Sequence, residues 1–532
     1  MKLQSLNDIF ERRVLRIPDY QRGYAWQSHQ LEDFWEDLVQ LSPDKVHYTG
    51  VLTLEPVSDS IWGRWDKDCW LIDGLDYRPY YVVDGQQRLT TSIILIQAIL
   101  ETLPDQTLLN HQSTNDIRAK FVHLKAKDGI RESFIFGYEK DNPSDEFLKT
   151  EIFKVYSDSN LHQKTLYTNN LIIAKEFFLR ELRKLTVDEV SILYKKLTQK
   201  FKFNVYEIND ELDVFVTFET MNNRGKPLSN LELLKNRLIY LSTLFENNEG
   251  RNALRVKINN VWKTIYEYLG KNPSLKLDDD EFLKNHWIMY FKYSRRKGDD
   301  YIVFLLDEYF TARNVTHPKS EDERVSIKNI EDYVTNLQQS IRPWFFMHSP
   351  YFEQMREYND EKNKLLLNRL DRLRFGAFKP LIMASYVSNE LLVDVNKLLE
   401  AAERLIFSLF IVNQRRANTG DSELYGFARQ ILVKDISIDE VVQSINKLVD
   451  QYYDPEDYIS LIKEKFKVGR DGFYHWEGLR YFLYEYEYYL KQKGKHSIEK
   501  LDWDKLINQG KLQNVTKGLV ISSTILVSLQ IF

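Results

Sequence analysis

YYVVDGQQRLTTSIILIQAILETL, residues 80–103, is the stretch on which the fold turns. Its opening, YYVVDG (80–85), is rich in β-branched and aromatic residues and stops at a glycine, so it reads as a strand. Asp84 and Gly85 form the turn, and a helix begins at about Gln86. From Leu89 to Leu103 the helix is apolar on nearly every side, which predicts burial rather than a surface position. A helix N-terminus therefore follows directly on the end of a strand. Its first N–H groups have no intrahelical partner and carry a partial positive charge, so the junction is a ready anion site.

The residues at that junction allow two readings. In the functional one, Arg88 points from the first turn at a bound phosphate, and Asp84 holds a divalent cation that bridges phosphates. Gln87 then orients a water for attack on the terminal phosphate. In the plain one, Asp84 is an N-cap and the two glutamines and the arginine are solvated.

Working outward, VLRI (14–17), YTGVLTLEPV (48–57) and FKFNVYEI (201–208) read as further strands, and SHQLEDFWEDLVQL (28–41) as a helix. Residues from about 104 to 165 are polar and irregular and suggest an insertion. Beyond 166 the chain reads as helical, with Leu, Ile, Phe and Tyr at helical spacing from 325 almost to 492. The expected fold class is α+β: a small N-terminal domain followed by a large, mostly α-helical body. The expected divisions are 1–105, an irregular region 106–165, a helical part 166–245 that completes the site, a helical domain 246–495, and a tail 496–532.

Bulk properties exclude several classes. The chain has 532 residues, 43% hydrophobic and 28% charged, as in a soluble globular protein. A net charge of −5 gives no global field for nucleic acid, so any such contact must come from local patches. One cysteine, Cys69, excludes an intramolecular disulfide and a multi-cysteine zinc site, which fits a reducing cytoplasm. The first residues contain no apolar secretory core, and the tail from Leu519 to Phe532 is short of a membrane span, so no membrane is expected.

Two other blocks could carry chemistry. IPDYQRGYAW, Ile17 to Trp26, is a shaped loop in which Pro18 fixes φ and Gly23 permits a tight bend. Arg22 offers a planar fork for phosphate oxygens, with Tyr20, Tyr24 and Trp26 to hold it or stack on a base; the alternative is an aromatic turn covering the core. FETMNNRGKPLSNLELLKNRLIYL, Phe218 to Leu241, predicts a helix over about 211–222, a break at Gly225, and a second helix opened by Ser229 with Glu232 completing a capping box. Arg224 and Lys226 lie on the bend, either as a second phosphate-facing loop or as an ordinary corner.

No G-x-x-x-x-G-K-[ST] occurs, so a nucleotide site here is not a P-loop. The ten histidines form no H-E-x-x-H pair and no HNH-type cluster, and His286 and His475 read as core or supporting residues. The basic groups Arg12/Arg13/Arg16, Lys195/Lys196/Lys200/Lys202, Arg295/Arg296/Lys297 and Arg415/Arg416 are solvated faces or nucleic-acid contacts.

Taken in this order, the three blocks resemble the GmrS-like, DGQQR-bearing family of GmrSD-type type IV restriction enzymes. The residues that carry the resemblance are Ile17–Arg22 with Tyr24 and Trp26, Asp84–Arg88, and Asn222–Gly225 with Leu228 and Ser229. It extends to about residue 492 through GFYHWEGLRYFLYEYEYYL. The resemblance implies a ParB/sulfiredoxin-like first domain and hydrolysis of a nucleoside triphosphate with a divalent cation such as Mg2+. It makes Asp84, Gln86, Gln87 and Arg88 the catalytic candidates, with Asp84 at the metal. Tyr20, Gln21, Arg22, Gly85, Asn223 and Arg224 become the nucleotide-binding candidates. The implied partners are modified phage DNA and an HNH-type nuclease domain or subunit in trans, with homo-oligomerisation left open. Many relatives continue into an HNH domain opened by a Glu-His pair; here Ser497–Ile498–Glu499 has no such His. The expectation is a sensor that licenses a partner nuclease. The alternatives are an NTP-gated DNA clamp without turnover, and a ParB-like nuclease in its own right.

Overall fold

Phe201–Glu207 alternates buried and half-exposed side chains along its length, the period-two pattern of a strand with one face on a core. In the computed structural model this strand, β10, lies inside a six-stranded mixed sheet of order β1-β10-β3-β4-β2-β9. The other members are β1 (Lys2–Ser5), β2 (Arg13–Ile17), β3 (His47–Pro56), β4 (Arg78–Asp84) and β9 (Phe136–Tyr138). Two short ladders pair β5 (Leu108–Leu109) with β6 (Gln112–Ser113) and β7 (His123–Lys125) with β8 (Glu132–Phe134). The residues described are 2–42, 44–103, 107–126, 128–129, 131–139, 144–155, 165–208, 228–272, 275, 277–292, 301–352, 360–388, 390–416, 418–452, 455–465 and 476–493.

The longest helices described in the first unit are α1 (Ser28–Gln40), α2 (Gln86–Thr102), α3 (Leu166–Leu182), α4 (Asn230–Thr243), α5 (Asn248–Leu269), α6 (Asp279–Tyr290) and α7 (Ile327–His348). As its composition predicts, α2 is buried on every side from Leu89 to Leu100. Two of its buried hydroxyls are satisfied within the helix: those of Thr91 and Ser92 donate to the carbonyls of Gln87 and Arg88, each at 2.8 Å. The core around α2 takes Val14, Leu15, Leu52, Leu54 and Val82 from the sheet and Phe177 and Phe178 from α3. Truncating one such Leu or Ile to Ala costs about 2–5 kcal/mol.

The α+β class stands, but residues 104–165 are not an irregular insertion. They supply β9 to the central sheet and place Ile117, Phe121, Ile135, Phe136, Phe147, Ile152 and Phe153 in the same core as α2. Their apolar residues are dispersed among short elements, so no helical or strand period stands out in the sequence. For the same reason the first 105 residues do not close a sheet alone: β1 pairs only with β10, two hundred residues later. The chain divides into compact units at Met1–Ser349 and Pro350–Phe532, not near 245. In the second unit, helices Glu361–Leu373 and Leu479–Lys493 are tied by Glu485, which pairs with Arg369 at 2.6 Å and Arg372 at 2.7 Å, and Leu392–Leu405 joins them through Glu403, 3.7 Å from Arg369. No helix among the described residues is long and apolar enough to cross a membrane.

Two smaller readings resolve. His286 is a core residue whose Nε2 lies 2.9 Å from Asn336 Oδ1, and burial pushes its pKa down to about 3. The Arg12/Arg13/Arg16 group is not one basic face, because Arg16 is buried on Asp68 at 2.6 Å and Arg13 pairs with Glu207 at 2.9 Å. The helix expected over 211–222, the residues Asn222 to Lys226, Arg295 to Lys297, His475 and the tail from 496 lie outside the described residues.

Candidate functional site

β2, β4 and β9 run parallel, so their carboxyl ends lie at one edge of the sheet. The IPDYQRGYAW loop leaves the end of β2, the DGQQR turn leaves β4, and Glu139 follows β9. Ligand sites of open α/β sheets lie at such carboxyl ends, where chain direction and loop position converge.

The turn between β4 and α2 has the expected form. Gly85 is the N-cap with φ +88°, and a Cβ there would lie 2.8 Å from the Val51 carbonyl, so glycine is required. Asp84 is not the cap of the helix; its Oδ1 accepts from Gly85 N at 2.7 Å. The first-turn N–H groups of Gln86, Gln87 and Arg88 have no acceptor in the helix.

The side chains of the turn hold the neighbouring segments in place. Gln21 donates to the Val83 carbonyl and accepts from Gln86 Nε2, both at 2.6 Å. Gln87 accepts from Ala25 N at 2.7 Å and donates to the Gly23 carbonyl at 3.0 Å, so both ends of its amide are engaged. Arg88 was expected to face an anion; its terminal nitrogens instead donate to the carbonyls of Thr49 and Val51 on β3, at 3.1 and 3.0 Å. Sequence spacing puts Arg88 on the first turn but says nothing of the strand edge beside it. Gly23 serves close approach: a Cβ there would lie 2.6 Å from the Tyr167 ring.

The third block reaches the first through α4. Ser229 caps α4, and the predicted capping box with Glu232 is present. Glu232 also accepts from Arg22 Nη1 at 3.2 Å and from the Tyr167 hydroxyl at 2.5 Å, all three side chains being buried. One turn further, the buried Lys235 donates to the Asp19 carbonyl. Asn223 and Arg224 lie outside the described residues.

A cluster that the three motifs do not announce lies behind the first block. Arg255 on α5 grips the Asp19 carboxylate at 2.6 and 2.9 Å, and Asn259 Nδ2 donates to it at 2.7 Å. Burial alone would raise the Asp19 pKa, but Arg255, Lys235 and Asn259 outweigh it and hold it below the usual carboxylate range. Glu139 accepts from Asp19 N at 2.7 Å and from the Tyr81 hydroxyl. Burial, with Asp19 close by, pushes its pKa up. Glu55 on β3 is pushed up to about 7 by burial and then by Glu139, with Arg255 opposing. Burial likewise brings Lys235 down to about 8, against the pull of Asp19. Perturbed titratable groups gathered at one sheet edge mark a candidate active site.

These residues were missed because each is ordinary in its local context. Glu55 and Glu139 sit next to strand residues, and Lys235, Arg255 and Asn259 sit on helices. The available signal was weak: Glu55 is the only charged residue in YTGVLTLEPV.

Residues 5–239 match the family model described as the GmrSD restriction endonuclease, N-terminal domain. Over that span the chain is similar to the N-terminal domain of GmrSD-type restriction enzymes. No curated protein matches the chain. The match contains both described motifs and Glu55, Glu139, Glu232 and Lys235, whereas Arg255 and Asn259 lie beyond it.

Proposed function

We propose that this GmrSD-type chain binds and hydrolyses a nucleoside triphosphate at the carboxyl ends of β2, β4 and β9, and that this step licenses cleavage of modified DNA by a nuclease domain or partner. The observation that carries the reading is the joining of two distant blocks around one helix N-terminus, through Gln21 to Gln86 and Gln87 to Gly23 and Ala25. The unpaired N–H groups of α2 favour phosphate there. Arg22, Tyr20, Asn223 and Arg224 are the proposed nucleotide contacts, with Gln87 and Arg88 keeping the turn in shape.

Among the described residues no three His, Cys, Asp or Glu side chains converge as metal ligands. An all-protein cage is therefore a poor fit. A cation such as Mg2+, held by one carboxylate, water and phosphate oxygens, fits Asp84 at the head of α2. Such an ion supplies charge neutralisation across the phosphates.

Asp84→Ala should abolish release of phosphate from triphosphates while leaving the melting temperature near that of the wild type. Hydrolysis by Asp84→Ala at the wild-type rate would refute the site. A second reading, an NTP-gated DNA clamp without turnover, draws on one observation. Gln87, the residue suited by sequence to orient water, has both amide ends bound to backbone. Stoichiometric binding without phosphate release would favour it.

A further inference from the structure

Almost every charged side chain in this site has a partner. Asp19 is held by Arg255 and Asn259, Glu232 by Arg22, Tyr167 and Ser229, and Glu139 by Tyr81 and Asp19 N. Glu55 is the exception: no hydrogen-bond donor among the described residues reaches its carboxylate. Its position is set by strand register. Glu55 lies opposite Tyr81 across the antiparallel β3–β4 pair, so the two side chains leave the same face of the sheet. Tyr81 in turn holds Glu139. Thr53 lies opposite Asp84, and Glu55 is two residues further along β3, about 7 Å away along the strand.

A second observation points to a ligand here. Asn259 donates to Asp19 through Nδ2, yet its Oδ1 is buried with no donor among the described residues. Asn236 Oδ1, on α4 beside Lys235 and one turn beyond Glu232, is buried and orphaned in the same way. Both side chains are more than nine-tenths buried, at 5% and 4% exposure. Buried acceptors without a donor call for an explanation, and a bound donor supplies one.

We infer that Glu55 takes the proton from the attacking water in the hydrolysis proposed above, on which the inference rests, and that Glu139 positions and tunes it. In that step the water oxygen bonds to the terminal phosphorus while its proton passes to the Glu55 carboxylate. The bond from phosphorus to the bridging oxygen breaks, and the diphosphate leaves with the electron pair. Glu55 then returns the proton to solvent. The groups facing Glu55 are Glu139 after β9, Tyr81 on β4, Tyr20 in the first block, and Arg255 on α5. A base with a pKa near the working pH is matched to this task, and burial beside a second carboxylate is one way to obtain it.

The test uses the full chain, Mg2+ and each common nucleoside triphosphate, with phosphate release followed from pH 6 to 9 and affinity measured by calorimetry. Wild-type kcat should rise with pH to a plateau above a midpoint near 7. Glu55→Gln should lower the plateau by about 10²–10⁴-fold while triphosphate affinity is retained. Glu139→Gln should keep turnover and move the midpoint to lower pH, since a like charge is removed; a purely structural role would leave the midpoint in place. Turnover that survives Glu55→Gln, or a midpoint unmoved by Glu139→Gln, overturns the assignment alone. Binding without turnover by the wild-type chain overturns the hydrolysis reading and this assignment together.

Discussion

Replacing Glu55 with Gln removes a carboxylate that the fold holds in a poor environment, so the variant should be the more stable protein at alkaline pH. The Glu55 pKa rises from 4.5 to about 7 in the folded chain, through burial first and Glu139 second. Below pH 4.5 the group is protonated in both the folded and unfolded states and contributes no pH dependence. Between 4.5 and about 7 the unfolded chain releases the proton and the folded chain keeps it, so stability falls as pH rises. Above 7 both states are ionised and the loss is complete. A shift of that size corresponds to about 3 kcal/mol, since one pKa unit is about 1.4 kcal/mol. Glutamine cannot ionise and keeps a similar shape, so the difference between variant and wild type isolates this group. Urea denaturation followed by tryptophan fluorescence at pH 5, 6, 7 and 8 measures it. The advantage of Glu55→Gln should be small at pH 5 and grow to about 3 kcal/mol at pH 8. A pH-independent difference, or a variant less stable than wild type at pH 8, would refute the reasoning.

Two further outcomes test the frame around the site. Asp19→Asn leaves the partly exposed Arg255 and the buried Lys235 without their carboxylate and should destabilise the first unit by about 1–3 kcal/mol, read as a lower melting temperature. Gln87→Ala strands the buried Ala25 N–H and should cost about 1–3 kcal/mol. Faster amide exchange confined to residues 23–25 would accompany it, and unchanged exchange there would count against a positioning role for Gln87.

What the residues alone determined is local in origin. The strand–turn–helix at 80–103 was legible because a β-branched run, a glycine that must take positive φ and an apolar helix are adjacent in the chain. The capping box of Ser229 and Glu232 was legible for the same reason, at a spacing of three residues. The ordering of the three blocks likewise carried the resemblance to the GmrSD N-terminal domain. What only the tertiary structure decided is the partner of each side chain. Arg88 and Gln87 have local sequences suited to phosphate and water, yet strand β3 and the 23–25 backbone pass close enough to bind them. Glu55, Glu139, Lys235 and Arg255 are separated by up to two hundred residues and acquire their perturbed charge states only when sheet register and the packing of α4 and α5 exclude water from between them. Hydrogen-bond geometry over short separations is written into the local sequence, whereas desolvation depends on which distant segments come together.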